Sequence, residues 1–160
     1  MLLALASCTN QKSDGKQVDN GPPGPPQIHT DCTVWESGGS SLQLAQFVGH
    51  FAIPDRYFIC GETTPFEQDY FWFASQNDVS LNFALNSNAV TVCKVTVWGR
   101  SLIQDGDDLI VVHDLLHSFL GAPGSLQVSG FRVPQTNYGF VVGVTSLNSL
   151  SDYQLEIWPF

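Results

Sequence analysis

Two histidines stand four residues apart, and an aspartate follows the first of them. His113 and His117 have the spacing of two metal ligands on one helical turn, with Asp114 beside them. A zinc site takes at least three protein ligands, and these residues do not read His-Glu-x-x-His. On a strand the two imidazoles would lie several ångströms farther apart. We therefore expect two ordinary histidines in a turn at the rim of the domain, with a small metal-dependent hydrolase as the least favoured function.

Three carboxylates surround a glycine in a second candidate site. Asp105, Asp107 and Asp108 flank Gly106, and hard cations such as calcium prefer oxygen ligands of this kind. The stretch lacks the distal bidentate glutamate of an EF-hand loop. It is predicted to be a solvated turn, so no cofactor is expected and calcium at this turn is the alternative.

No serine or cysteine has the setting of a catalytic nucleophile. Serine, histidine and aspartate are all present, but no serine stands in a Gly-x-Ser-x-Gly turn. The chain is predicted not to be an enzyme, and no residue is predicted to be catalytic.

Aromatic residues are more frequent than a small core needs. The chain has 11 Phe, 4 Tyr and 4 Trp, the tryptophans being Trp35, Trp72, Trp98 and Trp158. In a strand, Tyr70 and Trp72 would lie on the face opposite Phe71 and Phe73, so one of these pairs is expected at the surface. Tyr70 and Trp72 are the candidates to stack on a sugar ring or on the apolar groove of a partner.

Three cysteines lie in the body of the chain without any Cys-x-x-Cys spacing. This pattern favours a disulfide formed after export over zinc or redox chemistry. Cys60 with Cys93 is the favoured pair because both lie in predicted strands, which leaves Cys32 outside the bond, near the tether. A bond from Cys32 to Cys60 or to Cys93 would equally give one disulfide and one free cysteine, so both pairings stay open.

The N-terminal Leu5-Ala6-Ser7-Cys8 resembles the lipobox at which bacterial lipoprotein signal peptides are cut. The resemblance implies that the Cys8 thiol carries a diacylglycerol and that its freed amine is acylated, which anchors the chain firmly. Thr9, not aspartate, follows Cys8, as in outer-membrane lipoproteins. No Lys or Arg precedes Cys8, so residues 1–8 are interpreted as the remnant of a signal peptide. An incidental cysteine in a disordered N-terminus is the alternative.

A polar, turn-rich stretch follows, with two Gly-Pro-Pro triplets at residues 21–26. Residues 9–31 are predicted to be a flexible tether, because two triplets are far too few for a collagen helix. Residues 32–160 then form one domain, which is long enough to bury a core.

The strands of this domain are predicted from apolar and polar residues that alternate with period two. Apolar residues alternate over 79–85 and again over 138–144, which is typical of strands with one buried face. Further strands are predicted at 56–61, 70–74, 90–98, 125–133 and 153–158. The apolar phase slips within 90–98, which indicates a bulge, and residues 109–120 are predicted as a strand followed by a turn. About seven to nine strands predict an all-β fold, an antiparallel, jelly-roll-like sandwich.

Charge limits the partners. With 15 acidic and 6 basic residues the chain has a formal net charge of −9. Phosphate backbones and anionic membrane surfaces repel such a body, so nucleic acid is excluded and membrane attachment is expected through the lipid alone.

In their order, several segments resemble the bacterial pre-peptidase C-terminal domain, a β-sandwich appended to many secreted proteases. The matching pieces are Glu36, residues 44–47 (Leu-Ala-Gln-Phe), 58–61 (Phe-Ile-Cys-Gly), 69–73 (Asp-Tyr-Phe-Trp-Phe), 79–85, 138–144 and 152–157. The resemblance implies an accessory or binding role, in some relatives with calcium. The family's Asn-Asp after the opening acid is replaced here by residues 37–40 (Ser-Gly-Gly-Ser), so a calcium site is not carried onto Glu36.

These observations predict a lipid-anchored, non-catalytic binding or scaffold module of the cell envelope, with a protein or carbohydrate ligand. The alternative is a structural subunit or assembly factor of a surface machine, which an exposed edge strand would permit by strand addition.

Overall fold

The computed structural model describes most of the chain from Cys32 onward. The described residues are 32–35, 39–52, 55–65, 67–75, 77–88, 92–123, 125–134, 136, 138–147 and 151–160. Cys8, the predicted tether and Glu36 lie outside them. Within the described part, no helix is long and apolar enough to cross a membrane.

Ten strands account for the secondary structure of the described residues, and the predicted all-β class is confirmed. They are β1 (Val34–Trp35), β2 (Gln46–His50), β3 (Tyr57–Thr63), β4 (Asp69–Ala74), β5 (Val79–Ser87), β6 (Val92–Asp105), β7 (Asp108–Pro123), β8 (Ser125–Val133), β9 (Gly139–Ser146) and β10 (Ser151–Pro159).

The strands form one curled sheet in the order β1-β3-β10-β5-β8-β7-β6-β9-β4-β2. Its first half runs from β1 to β8 and its second half from β7 to β2, and Ala122 paired with Ser125 joins the two. The two outermost pairings, β1 with β3 and β2 with β4, are parallel, so the expected purely antiparallel sheet is corrected at both edges. Residues of both halves belong to one core cluster.

Side-chain alternation builds that core, as predicted. From the first half, Leu81, Phe83 and Leu85 of β5 point inward, and Phe140 and Val142 of β9 meet them from the second half, all at most 1% exposed. Removing this apolar surface from water is the main force that holds the two halves together.

The bulge predicted in the β6 segment is wrong, because β6 pairs with β9 from Cys93 to Arg100 without a register shift. The β6–β7 register shifts between Val92 and Lys94 and again between Val97 and Trp98, and at both places the extra residue lies on β7. The turn predicted within residues 109–120 is wrong. β7 continues as a strand through Pro123 because β6 pairs with it along its whole length, from Asp105 opposite Asp108 onward. Those carboxylates flank the turn at the tip of this hairpin.

The disulfide joins Cys32 to Cys60 and not Cys60 to Cys93, which corrects the favoured pairing. Parallel pairing of β1 with β3 puts Trp35 opposite Cys60 and brings the two α-carbons of the bond to 5.7 Å. Cys93 belongs to β6 in the other half of the sheet, where it is buried and its thiol donates to the carbonyl of Ala122 at 3.4 Å.

Candidate functional site

The outward face of the second half of the sheet carries the candidate site. In β4, Phe71 and Phe73 are fully buried in the core, whereas Tyr70 and Trp72 lie half-buried on the opposite face. The facing predicted from alternation is therefore observed, and it presents two large aromatic rings away from the core.

Three side chains from separate strands or loops contact Trp72, and we refer to the four residues as the arginine–aromatic cluster: Phe47, Trp72, Arg100 and Tyr138. The Phe47 ring centroid lies 4.3 Å from that of Trp72, and Tyr138 stacks on Trp72 with centroids 5.4 Å apart. The guanidinium carbon of Arg100 lies 3.9 Å from the Trp72 centroid and 4.6 Å from that of Tyr138. The cation therefore touches the faces of both rings, the geometry of a cation–π contact.

Strand order, not chain order, brings these residues together. β9 lies between β4 and β6, and its Val141 pairs with Trp72 on one side and Trp98 on the other. Val141 is fully buried but is not part of the core between the halves, so it forms the floor beneath the outward aromatic rings. Tyr70 extends the aromatic surface, with its centroid 5.5 Å from that of Trp98.

The turn before β9 sets the position of Tyr138. Gly139 has φ 112°, and a Cβ at this residue would lie 2.0 Å from the carbonyl oxygen of Phe73, so only glycine fits. The Thr136 hydroxyl donates to the carbonyl of Gly139 at 2.6 Å and accepts from its amide at 2.9 Å. Gly139, the first residue of β9, pairs with Arg100. The closed turn therefore places the neighbouring Tyr138 ring within reach of the guanidinium.

Arg100 is the electrostatic centre of the cluster. Its side chain is only 8% exposed, and its Nε and Nη1 atoms have no hydrogen-bond acceptor among the described residues. No ion pair in the described part of the chain includes it, and burial lowers the pKa of the guanidinium from its ordinary value. Stacking on two rings offsets part of the cost of burying this charge, and an anion would offset more.

His113 is the cross-strand neighbour of Arg100 on β7. Its Nε2 atom is also buried without a partner among the described residues. Burial first, and then the positive charge of Arg100, lower the pKa of His113 below its ordinary 6.5, while Asp114 opposes the shift. The imidazole is therefore neutral at pH 7 and can donate or accept one hydrogen bond beside the guanidinium.

The two histidines singled out in the sequence do not share a site. His113 pairs with Arg100 and His117 with Val97, three residues apart on β6, so the bulge turns the two rings to opposite faces. The His117 ring instead lies 4.5 Å from Phe119 and 6.1 Å from Phe131. Both residues lie on a strand, not on the rim turn that was predicted.

The described residues contain no group of three or more His, Cys, Asp or Glu side chains that could hold a metal ion. Asp105, Asp107 and Asp108 are exposed around the β6–β7 turn, where Gly106 has φ 63°. This arrangement agrees with a solvated hairpin tip.

Sequence reasoning identified Trp72 and Tyr70 but missed Phe47, Arg100 and Tyr138. One signal for Arg100 was present, because it stands in phase with Trp98 and Thr96 on the face of β6 that points away from the core. No pattern along the chain indicates that β2, β4 and β9 bring the three rings to the same place.

Comparison with known proteins gives similarity to solved structures alone. No family model and no curated protein matches the chain. The similar solved structures include Aeromonas hydrophila PliG, a periplasmic lysozyme inhibitor of g-type lysozyme, with a TM-score of 0.44, 10% sequence identity, and coverage of 72% of this chain and 96% of that chain. The function is therefore argued from the site itself.

Proposed function

We propose that this chain is a non-catalytic binding module of the cell envelope, held to a membrane through lipidated Cys8 and the tether of residues 9–31. Its ligand is a protein that offers an acidic group to Arg100 at the arginine–aromatic cluster. The observation that carries the proposal is the guanidinium of Arg100, buried under two aromatic rings with no anionic partner in the described part of the chain.

A buried and unpaired cation is costly, and folding alone does not require one at this position. A carboxylate from a partner would give the guanidinium charge-assisted hydrogen bonds of the strong kind. His113, neutral and one strand away, would supply a further donor or acceptor. The cluster therefore has the chemistry of a receptor for an acidic group.

The surroundings favour a protein over a neutral sugar. Phe47 of the cluster is 48% exposed, and Leu115, which pairs with Trp98 across β6 and β7, is 64% exposed. These apolar groups suit the side chains of a polypeptide, and aromatic residues together with arginine are enriched where binding energy concentrates in protein interfaces. A neutral sugar could stack on the rings but would leave the guanidinium unpaired.

Location in the envelope is supported by two features. The Cys32–Cys60 disulfide suits an oxidising compartment outside the cytoplasm. The lipobox-like Leu5-Ala6-Ser7-Cys8 and the acidic body fit attachment through acyl chains alone. The likeness to the pre-peptidase C-terminal domain agrees with an accessory role, and it remains a proposal.

The test uses the full chain with Cys8→Ser, immobilised and exposed to solubilised envelope proteins. We expect Arg100→Met to lose the bound partner, because it keeps the length of the side chain and removes the charge. Arg132→Met is the matched control, since Arg132 is an exposed arginine that pairs with Asp78 in the first half of the sheet.

Retention of the same proteins by Arg100→Met and by the unmodified chain would contradict the proposal. Specific binding to a panel of neutral glycans, unaffected by Arg100→Met, would replace the protein ligand with a carbohydrate. Thermal unfolding of each variant confirms that a loss of binding is not a loss of fold.

A further inference from the structure

β7 has the longest unpaired edge in the described part of the sheet. One side of this 16-residue strand pairs with β6 throughout, whereas its other side pairs with β8 only at Ala122 and Ser125. The strands at the two ends of the sheet order, β1 and β2, have only two and five residues. β7 thus leaves a row of backbone N–H and C=O groups without strand partners, which is the template for adding another strand.

The side chains along this edge are unusually apolar. Leu109, Leu115 and Leu120 are 72%, 64% and 61% exposed. Soluble proteins protect long edges with lysines, prolines or charged inward-facing residues, yet between Leu109 and Leu120 the only Asp, Glu, Lys or Arg is Asp114. An exposed edge with so many apolar side chains and so few charges favours pairing with another strand.

We propose that β7 pairs antiparallel with β7 of a second copy of this chain, so that the second halves of two sheets join into one. This inference concerns the free edge of β7, which also carries His113 and Leu115 beside the arginine–aromatic cluster, and it does not depend on the proposed ligand. A two-fold antiparallel pair requires a self-complementary strand, and the sequence of β7 can be tested for that property.

The bulge in β7 restricts the register. Paired positions on β6 show that His113, Leu115 and Ser118 point outward, whereas Asp114 and His117 point inward, since the bulge at Leu116 changes the phase. Residues directly opposite each other must lie on the same face of the joined sheet. Only alternate registers meet this condition, because a shift by one residue places outward side chains opposite inward ones.

Of the registers that remain, one pairs the single carboxylate of this stretch with an imidazole. When Asp114 lies opposite His117 of the second copy, His113 lies opposite Ser118, and Leu115 lies opposite Leu116 on each side of the two-fold axis. At the ends of the paired segment, Val111 then lies opposite Leu120, which covers an exposed leucine in each copy. A carboxylate–imidazole hydrogen bond and apolar burial thus select the same register.

Sedimentation velocity of the full chain with Cys8→Ser, from about 1 µM to about 300 µM, tests the association by mass action. We expect a reversible dimer whose dissociation constant rises at least about tenfold in Leu115→Lys and in Leu120→Lys. Leu44→Lys is the matched control, because Leu44 is 68% exposed and lies outside β7. These side chains are exposed in the monomer, so the substitutions leave folding intact.

Covalent trapping tests the register. The double variant His113→Cys with Ser118→Cys should form a disulfide-linked dimer on oxidation, whereas each single variant should not. A register shifted by two residues would separate these cysteines by about 7 Å along the strand and prevent the bond.

A chain that stays monomeric over the whole concentration range would overturn the proposal. In that case residues 9–31 or another protein would be the partner that covers β7. A dimer that Leu115→Lys and Leu120→Lys leave unchanged would overturn the proposal as well.

Discussion

Burial of the charge of Arg100, which has no ion-pair partner among the described residues, is expected to cost the domain stability. Its guanidinium is buried with two nitrogen atoms lacking acceptors, and two aromatic rings are its main contacts. Residues that bind ligands often destabilise the domain that carries them. The stability of the unliganded domain therefore reports whether Arg100 serves the fold or the ligand.

We predict that Arg100→Met raises the free energy of unfolding by about 1 kcal/mol, because an apolar chain of similar length replaces an unpaired buried charge. Chemical denaturation of the Cys8→Ser chain with and without the substitution measures the difference. If the substitution instead lowers the free energy of unfolding by about 2 kcal/mol or more, the cation–π contacts of Arg100 stabilise the fold.

His113 gives the domain a pH dependence. Its pKa in the folded state is below the ordinary 6.5, so below that pH the unfolded chain binds a proton that the folded chain resists. We predict that stability decreases as the pH falls from 6.5 toward the lowered pKa, and that His113→Gln reduces this decrease. Unfolding free energies from pH 8 to 5, with His50→Gln as the control, measure it. Equal slopes for the unmodified chain and His113→Gln would contradict the prediction.

At the scale of the elements, a buried hydrogen bond connects β10 in the first half of the sheet to β4 in the second half. The Tyr153 hydroxyl of β10 donates to the Asp69 carboxylate of β4 at 2.9 Å, and burial, followed by the charge of Asp69, raises the pKa of Tyr153 far above its ordinary value. Opposite Tyr153 on β3 stands Gly61, where a Cβ would lie 2.6 Å from the phenol oxygen. The glycine makes room for this bond.

Gly61→Ala is therefore predicted to destabilise the domain by about 1–3 kcal/mol, the usual cost of overpacking. Gly49→Ala in β2 is the control, since a Cβ there meets the Tyr57 ring at an ordinary 3.5 Å. Thermal and denaturant unfolding of both variants compare the two positions. Equal stabilities would show that Tyr153 moves aside without loss of its bond.

The disulfide closes a segment of 28 residues and ties β1 to β3. In the chain-entropy picture its removal costs about 3–4 kcal/mol. We predict this loss for Cys32→Ser with Cys60→Ser, measured by denaturant unfolding, and a single linked peptide containing both cysteines in a non-reducing map of the unmodified protein. A linked peptide containing Cys93 would disprove the assignment.

At the scale of the whole molecule, the proposed anchor and the domain contribute separately to location. The chain has a formal net charge of −9, so the surface of the domain is not expected to hold it on an anionic membrane. We predict that Cys8→Ser moves the protein from the membrane fraction to the soluble fraction. A salt wash without detergent distinguishes lipid attachment from retention by a partner, and a Ser variant that stays on washed membranes would contradict the anchor.

Local patterns were sufficient for the all-β class and for the inward faces of β4 and β5. These features depend on side-chain alternation within a few residues, and burial enforces the alternation strand by strand. The single buried face expected for β9 was wrong, since all its residues are buried, and the bulge expected in β6 lies in β7. The same reasoning failed at residues 109–120, because polar histidines and an aspartate suggested a turn there. Pairing with β6 along the whole segment overrode that local preference.

The disulfide and the arginine–aromatic cluster were decided by tertiary structure alone. Cys60 bonds Cys32 and not Cys93 because β1 lies beside β3 while β6 lies in the other half of the sheet. Arg100 meets Trp72 and Tyr138 because β9, distant in sequence from β4 and β6, lies between them. Which strands become neighbours depends on how the whole sheet closes around its core, and residue spacing along the chain does not encode that order.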